Sequence, residues 1–159
     1  MIRPATAADA PAIAHIWNAL IRDSVATFNA VAYTQAQIVQ MIADKGMAGH
    51  AFLVDDALTG FATYGQFRGG VGYAHSMEHT VHLTEAAHGR GLGRALMTAI
   101  EGHALAQGAH AMMAGVGGEN TAGIAFHAAC GYAHVATIPA VGWKFGRWMD
   151  LVLMQKFLS

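Results

Sequence analysis

Small and cationic residues crowd into one short stretch, His88-Gly89-Arg90-Gly91-Leu92-Gly93-Arg94. Glycines this close together let a backbone approach a ligand. The first N–H groups of a helix starting near Gly91 bind anionic oxygens, and Arg90 and Arg94 add cationic contacts suited to phosphate. The Gly-Lys-Ser/Thr ending of a nucleotide P-loop is missing and the glycine spacing is not that of a dinucleotide fingerprint. From these residues alone the stretch reads either as an anion cradle or as a packing turn.

A second group of residues suits acid–base and recognition chemistry. Glu78 lies in a strand-like run where partial burial would tune its carboxylate to act as a base; the other reading is a structural acceptor. His79 faces the opposite side of an ideal strand and reads as a core hydrogen-bonding group or as part of a substrate pocket. Arg68 opens the segment Arg68-Gly-Gly-Val-Gly72, a position for a bidentate carboxylate clamp or for a solvated surface arginine. Phe28 and Tyr73 serve equally as cleft walls or as core packing. His75, His79 and His82 invite a metal reading, but strand alternation separates His82 from the other two and no His-Glu-x-x-His helix accompanies them, so no metal is expected.

These residues need elements to position them. Ile2-Arg3 starts an edge strand that Pro4 ends, and Asp9 is placed to cap a helix whose first turn holds Pro11. Ile13, Ile16, Trp17 and Leu20 give that helix one apolar face, and Thr34 caps a second helix, reaching about Lys45, with Ile38, Met41 and Ile42 inward. Strands are predicted over His50–Val54, Leu58–Phe67 and Tyr73–Leu83, with a turn at Asp55-Asp56. A helix over Leu92–Gln107 follows the glycine stretch, then a short apolar strand over His110–Val116 and a helix capped by Asn120 or Thr121 that ends near Gly131. Tyr132–Val141 and Arg147–Phe157 supply terminal strands, and Pro139 marks a bend or an unpaired edge. No linker or repeat divides the order, so residues 1–159 are expected to form a single domain.

Composition narrows the function classes. The 159 residues are 54% hydrophobic and carry nine Lys plus Arg against ten Asp plus Glu, a net charge of -1. That balance carries no nucleic-acid footprint, and His, Asp, Gly and Gln interrupt the apolar stretches well short of a membrane span. Arg3, Asp9, His15 and Asn18 break the region where a secretory core would lie. Cys130, the single cysteine, cannot form an intrachain disulfide and reads as a packing group; a reducing, cytoplasmic setting is expected.

Two of these segments together resemble the GCN5-related N-acetyltransferase superfamily. His88, Gly91 and Gly93 are similar to its acetyl-CoA motif, in which arginine or glutamine is commoner at the first position. Asn120-Thr-Ala-Gly-Ile-Ala-Phe-His-Ala-Ala-Cys-Gly-Tyr132 is similar to its Asn-led helix ending before Gly-Phe or Gly-Tyr. A narrower resemblance is to the phosphinothricin and methionine-sulfoximine N-acetyltransferases. It rests on Ala26-Thr27-Phe28, Phe67-Arg68, Tyr73, the run His75-Ser-Met-Glu78-His79-Thr-Val, and the ending Val141-Gly-Trp-Lys144 through Gln155. Asn29 stands where that group often has Glu, and His82 where it often has Tyr.

The resemblance implies an α/β fold with a central mixed, mostly antiparallel sheet flanked by helices. It also implies acetyl-CoA as cosubstrate, a small primary amine as acceptor, and direct transfer between the two. Leu83, Thr84 and nearby strand backbone would align the pantetheine arm, with His88, Gly89, Arg90, Gly91, Gly93 and Arg94 around the pyrophosphate. Asn120 would lie near the arm, and His127, where relatives place a tyrosine, beside the departing sulfur. Glu78 and His127 are then the candidate catalytic pair, and Phe28, Arg68, Tyr73, Glu78 and His79 the acceptor site. A homodimer is implied too, and Trp143, Phe145 and Trp148 offer aromatic anchors for one. Two alternatives stay open: acetylation of another primary amine (a polyamine, an aminoglycoside or a peptide terminus), and a non-catalytic acyl-CoA sensor.

Overall fold

A computed structural model describes residues 1–159. Its strands are β1 (Ile2–Pro4), β2 (Phe52–Asp55), β3 (Gly60–Gln66), β4 (Ser76–Leu83), β5 (Ala111–Gly117), β6 (Ala133–Lys144) and β7 (Arg147–Phe157). Its α-helices are α1 (Ala10–Asp23), α2 (Gln35–Met47), α3 (Leu92–Ala106) and α4 (Thr121–Ala129). The strands form one sheet in the order β1-β2-β3-β4-β5-β7-β6. Only β4 and β5 run parallel, joined by the crossover that contains α3; the remaining pairs are antiparallel.

Each face of the sheet buries one apolar layer, as period-two strands and 3.6-period helices require. On one face Ile13, Ile16 and Trp17 of α1 and Ile38 of α2 pack on Phe52, Val54 and Phe61. On the other, Leu96, Met97 and Ile100 of α3 pack on Ala62, Tyr64, Met77, Met112 and Val116. Thr34 caps α2 as expected: the Gln37 N–H donates to its hydroxyl at 3.1 Å, and its own N–H donates to the Gln37 side chain at 2.8 Å.

Three local expectations change. Asp9 occupies the cap position of α1, but its carboxylate accepts from Arg3 at 2.8 and 2.9 Å and from the Thr6 N–H at 2.7 Å, so it ties β1 to the helix entry and does not cap. Tyr73 lies in a short 3-10 turn, Val71–Tyr73, because the preceding glycines permit a tight reversal; β4 begins only at Ser76. His75, outside the strand, approaches the Gly108 carbonyl through Nδ1 at 3.0 Å, while His79 and His82 face opposite sides of β4.

The parallel pair is what creates a site. β4 and β5 stay in register only over Ser76–Glu78 and Ala111–Met113. Beyond that point β4 continues beside β3 to Leu83 and β5 continues beside β7 to Gly117, so the two strands diverge. Their facing edges are unpaired, and an unpaired backbone edge demands polar partners.

Candidate active site

The divergence opens a cleft of about 710 Å³, lined along one wall by β4 from Glu78 to Leu83 and along the other by Gly115, Val116 and Gly117 of β5. Glu78 sits at its apex, where pairing ends. The carboxylate reaches across the divergence: a Cβ added to Gly115 would lie 3.0 Å from Glu78 Oε2. No protein donor holds it, and burial raises its pKa above the ordinary carboxylate value. A carboxylate in this state is a stronger base than one in water.

The anion end lies at the cleft's other limit. Gly89 and Gly91 adopt φ of +76° and +82°, and a Cβ at either would meet nothing, so conformation alone favours glycine at both. Gly93 differs: a Cβ there would stand 3.1 Å from the Phe126 ring, so this glycine lets α3 and α4 approach each other. Gly91 caps α3 with no side-chain hydrogen bond, leaving first-turn N–H groups free for an anion. His88, Gly89, Gly91, Gly93 and Arg94 line the cleft; Arg90 is exposed and lies outside the lining.

α4 contributes the third wall. The Asn120 side chain accepts from the Gly123 N–H at 2.9 Å and so serves first as a helix cap, while the residue still borders the cleft. His127 Nδ1 lies 2.7 Å from the Gly123 carbonyl, which can only accept, so the proton sits on Nδ1. Its Nε2 is 3.1 Å from His79 Nε2, and the two rings stack with centroids 5.0 Å apart. In the neutral pair His79 therefore donates from Nε2, and its buried Nδ1 is left as a lone pair without a partner. Burial lowers the pKa of both rings, that of His79 to about 3. A proton added to His127 would turn that orphan acceptor into an orphan donor in a buried place, so the pair rests neutral.

The expected residues thus divide into those the fold brings together and those it does not. Glu78, His79, Leu83, Asn120, His127 and Phe28 all border the cleft, with Glu78 and His79 on opposite faces of β4 as alternation requires. Thr84 lies outside the lining, at the start of the short turn Glu85–Ala87, and its side chain makes no capping hydrogen bond. Arg68 and Tyr73 are outside the lining: Arg68 is exposed and stacks 5.7 Å from the Tyr73 ring, on the segment that leads into β4. Arg94, at the anion end, is the only Arg or Lys of the lining.

Sequence reasoning missed Trp17, Val25, Leu151 and the glycine pair of β5. Gly115 and Gly117 alternate in an otherwise apolar strand, a signal for close approach that was legible. His82 also borders the cleft beside Trp17 and Phe61, and burial lowers its pKa to about 4, so it is a neutral imidazole.

The acetyltransferase (GNAT) domain matches residues 2–153 of the chain. The L-amino acid N-acyltransferase MnaT of Escherichia coli is 35% identical, covering 97% of this chain and 91% of the relative. An L-methionine sulfoximine/L-methionine sulfone acetyltransferase of Salmonella typhimurium is 34% identical, covering 97% and 92%. Among solved structures, a phosphinothricin acetyltransferase from Sinorhizobium meliloti in complex with acetyl-CoA superposes with a TM-score of 0.93. It is 29% identical, and the match covers 100% of this chain and 88% of that one. The family match over residues 2–153 takes in every residue of the cleft lining, and the chain belongs to the GNAT acetyltransferase family as an acetyl-CoA-dependent N-acetyltransferase.

Proposed function

We propose that the chain, acting as one N-acetyltransferase domain, acetylates the primary amine of a small amino acid or analogue. Methionine sulfone, methionine sulfoximine and phosphinothricin are the acceptors to test. The observation that carries the reading is the unpartnered Glu78 carboxylate at the apex of a cleft whose far end is an open helix N-terminus. The relatives' acceptors, small amino acids and their analogues, support the same class.

The cleft residues fit an extended arm with an anionic end. The first-turn N–H groups of α3 and the Arg94 guanidinium would hold pyrophosphate oxygens, and the unpaired edges of β4 and β5 would accept an amide-bearing chain. Acetyl-CoA supplies the acetyl group as a thioester, bound together with the acceptor. Glu78 takes a proton from the acceptor's ammonium, directly or through water, which frees the nitrogen lone pair for attack. The apolar wall of Trp17, Val25, Phe28 and Leu151 keeps water from competing. His127 borders the cleft in which the arm would lie, with its one proton committed to Gly123, so donation to the departing sulfur would require that hydrogen bond to open.

A carboxylate-bearing acceptor needs a cation, and the cleft has none beside Glu78. In this proposal Arg68 supplies it from the segment entering β4, with Tyr73 beneath its guanidinium. The same lack of a cation favours a second reading, in which the acceptor is itself cationic, such as a polyamine. A panel of acceptors with acetyl-CoA, read by thiol release and product mass, decides between them. The first reading expects turnover of L-methionine sulfone that weakens in Arg68→Ala through a higher KM. Polyamine turnover indifferent to Arg68 selects the second, and tight CoA binding with no acylation of any amine refutes both.

The exposed aromatic side chains of the β6–β7 hairpin, Trp143, Phe145 and Trp148, support a homodimer as part of the proposal. No helix is long and apolar enough to cross a membrane. A cytoplasmic location belongs to the same reading, since acetyl-CoA is a cytoplasmic metabolite.

A further inference from the structure

Lys144 is the most buried charged residue of the chain, 3% exposed, and no part of the chemistry above uses it. Its ammonium has two hydrogen-bond acceptors, the Ser24 and Thr27 carbonyls, each at 2.7 Å. Ser24 is the C-cap of α1, where helix carbonyls run out of N–H partners and a cation is favoured. The bonds span 120 and 117 residues of sequence, so they fasten the β6 strand to the segment that leaves α1.

That segment is a wall of the cleft. Val25, Ala26, Thr27 and Phe28 border the cleft, and the Phe28 ring lies against Gly117 on the face of β5 that Glu78 reaches at Gly115, whereas neither Lys144 nor Gly142 borders the cleft. Two glycines seat the wall. A Cβ at Gly117 would lie 2.8 Å from the Val25 carbonyl and 3.3 Å from the Phe28 ring, and a Cβ at Gly142 would collide with that ring. Neither glycine has a positive φ that would explain it by conformation. Gly117 is therefore required by the closeness of the Val25 carbonyl, and Gly142 by that of the Phe28 ring.

We propose that Lys144 and Gly142 are positioning residues for acceptor specificity: Lys144 pins Ser24–Phe28 and Gly142 provides the notch in which the Phe28 ring sits, so that together they set the width of the acceptor pocket without touching the acceptor. The proposal rests on the acceptor binding on the Glu78 side. It predicts that damage here falls on the amine and spares acetyl-CoA, whose anion site lies at the opposite end of the cleft.

The test compares Lys144→Met, which keeps most of the length and removes the charge, with Lys144→Arg, Gly142→Ala, Phe28→Ala and the Gly142→Ala/Phe28→Ala double variant. KM is measured separately for L-methionine sulfone and acetyl-CoA, alongside direct titration of CoA. Lys144→Met and Gly142→Ala are expected to raise the amine KM about tenfold or more, equivalent to one charge-assisted hydrogen bond or one forced ring displacement, with CoA affinity within about twofold. Lys144→Arg, which retains a cation, recovers part of the loss. Because Gly142 acts through Phe28, Gly142→Ala adds nothing in a Phe28→Ala background, a non-additivity that general destabilisation does not produce. Equal losses for both substrates, or additive effects of the two wall variants, overturn the proposal.

Hydrogen exchange of the amides of residues 24–29 reads the pinning without turnover. Exchange that speeds up in Lys144→Met supports it even if the acceptor class proves wrong, and unchanged exchange refutes it. Wild-type inactivity towards every amine sinks the functional reading while leaving this readout standing.

Discussion

Glu78→Gln separates catalysis from folding in one substitution. The variant keeps the shape of the side chain and removes only the capacity to take a proton. No protein hydrogen bond is lost, since Glu78 has no donor partner, and the side chain still reaches towards Gly115 across the divergence. Loss of a general base slows turnover on the order of 10²- to 10⁴-fold, roughly 3 to 5 kcal/mol of transition-state stabilisation. Stability should move the other way. Burial raises the folded pKa of Glu78 above its unfolded value, so between those two values the native chain holds more protons than the unfolded one. Its contribution to stability is therefore complete below the unfolded pKa and declines as pH rises through the folded pKa. At neutral pH the wild type bears a half-buried carboxylate without a partner, which glutamine relieves, so Tm should hold or rise slightly. The assay is kcat/KM for L-methionine sulfone across pH 6 to 9, with thermal unfolding of both proteins at each pH. The wild-type profile should fall on its acidic side at a pH above the ordinary carboxylate range, and that limb should vanish in the variant. Turnover within threefold of wild type throughout, or a clearly lower Tm for Glu78→Gln, would refute the reasoning.

Further outcomes follow from the two ends of the molecule. Arg94→Ala should weaken CoA binding about tenfold and leave the amine KM unchanged, checked by titration calorimetry at two salt concentrations, because its charge serves the anion end of the cleft. The double substitution Trp143→Ser/Trp148→Ser should convert a dimer to a monomer in sedimentation analysis with the sheet intact by circular dichroism, since both rings are more than half exposed in the single chain. A wild-type chain that sediments as a monomer at micromolar concentration refutes the dimer.

The histidine pair shows how local partners decide what a residue can do. His127 falls on the motif position that the family resemblance associates with the departing sulfur, and its side chain borders the cleft. Yet the Gly123 carbonyl holds its proton and His79 occupies the opposite nitrogen, an arrangement only the folded chain reveals. A hydroxyl at the same position would have had one rotatable proton to offer; the imidazole has two fixed sites, both engaged.

Much of this protein was determined by sequence that acts locally. The apolar periods of α1 and α3, the Thr34–Gln37 capping pair and the glycines around Gly91 specify their conformations through neighbours a few residues away, and each can be read from the chain without knowing the fold. The alternation of Glu78 and His79 across β4 belongs with them. What only the tertiary structure decided was where pairing stops. The divergence of β4 from β5 after Glu78 depends on β4 following β3 and β5 following β7, contacts between elements far apart in sequence. That single event exposes the Glu78 carboxylate and makes the cleft. Other long-range contacts leave Arg68 on a loop outside the lining and hold Lys144 against partners more than a hundred residues away. Local pattern carries the chemistry of individual residues, but the geometry that joins them is set by long-range packing, on which spacing in sequence is silent.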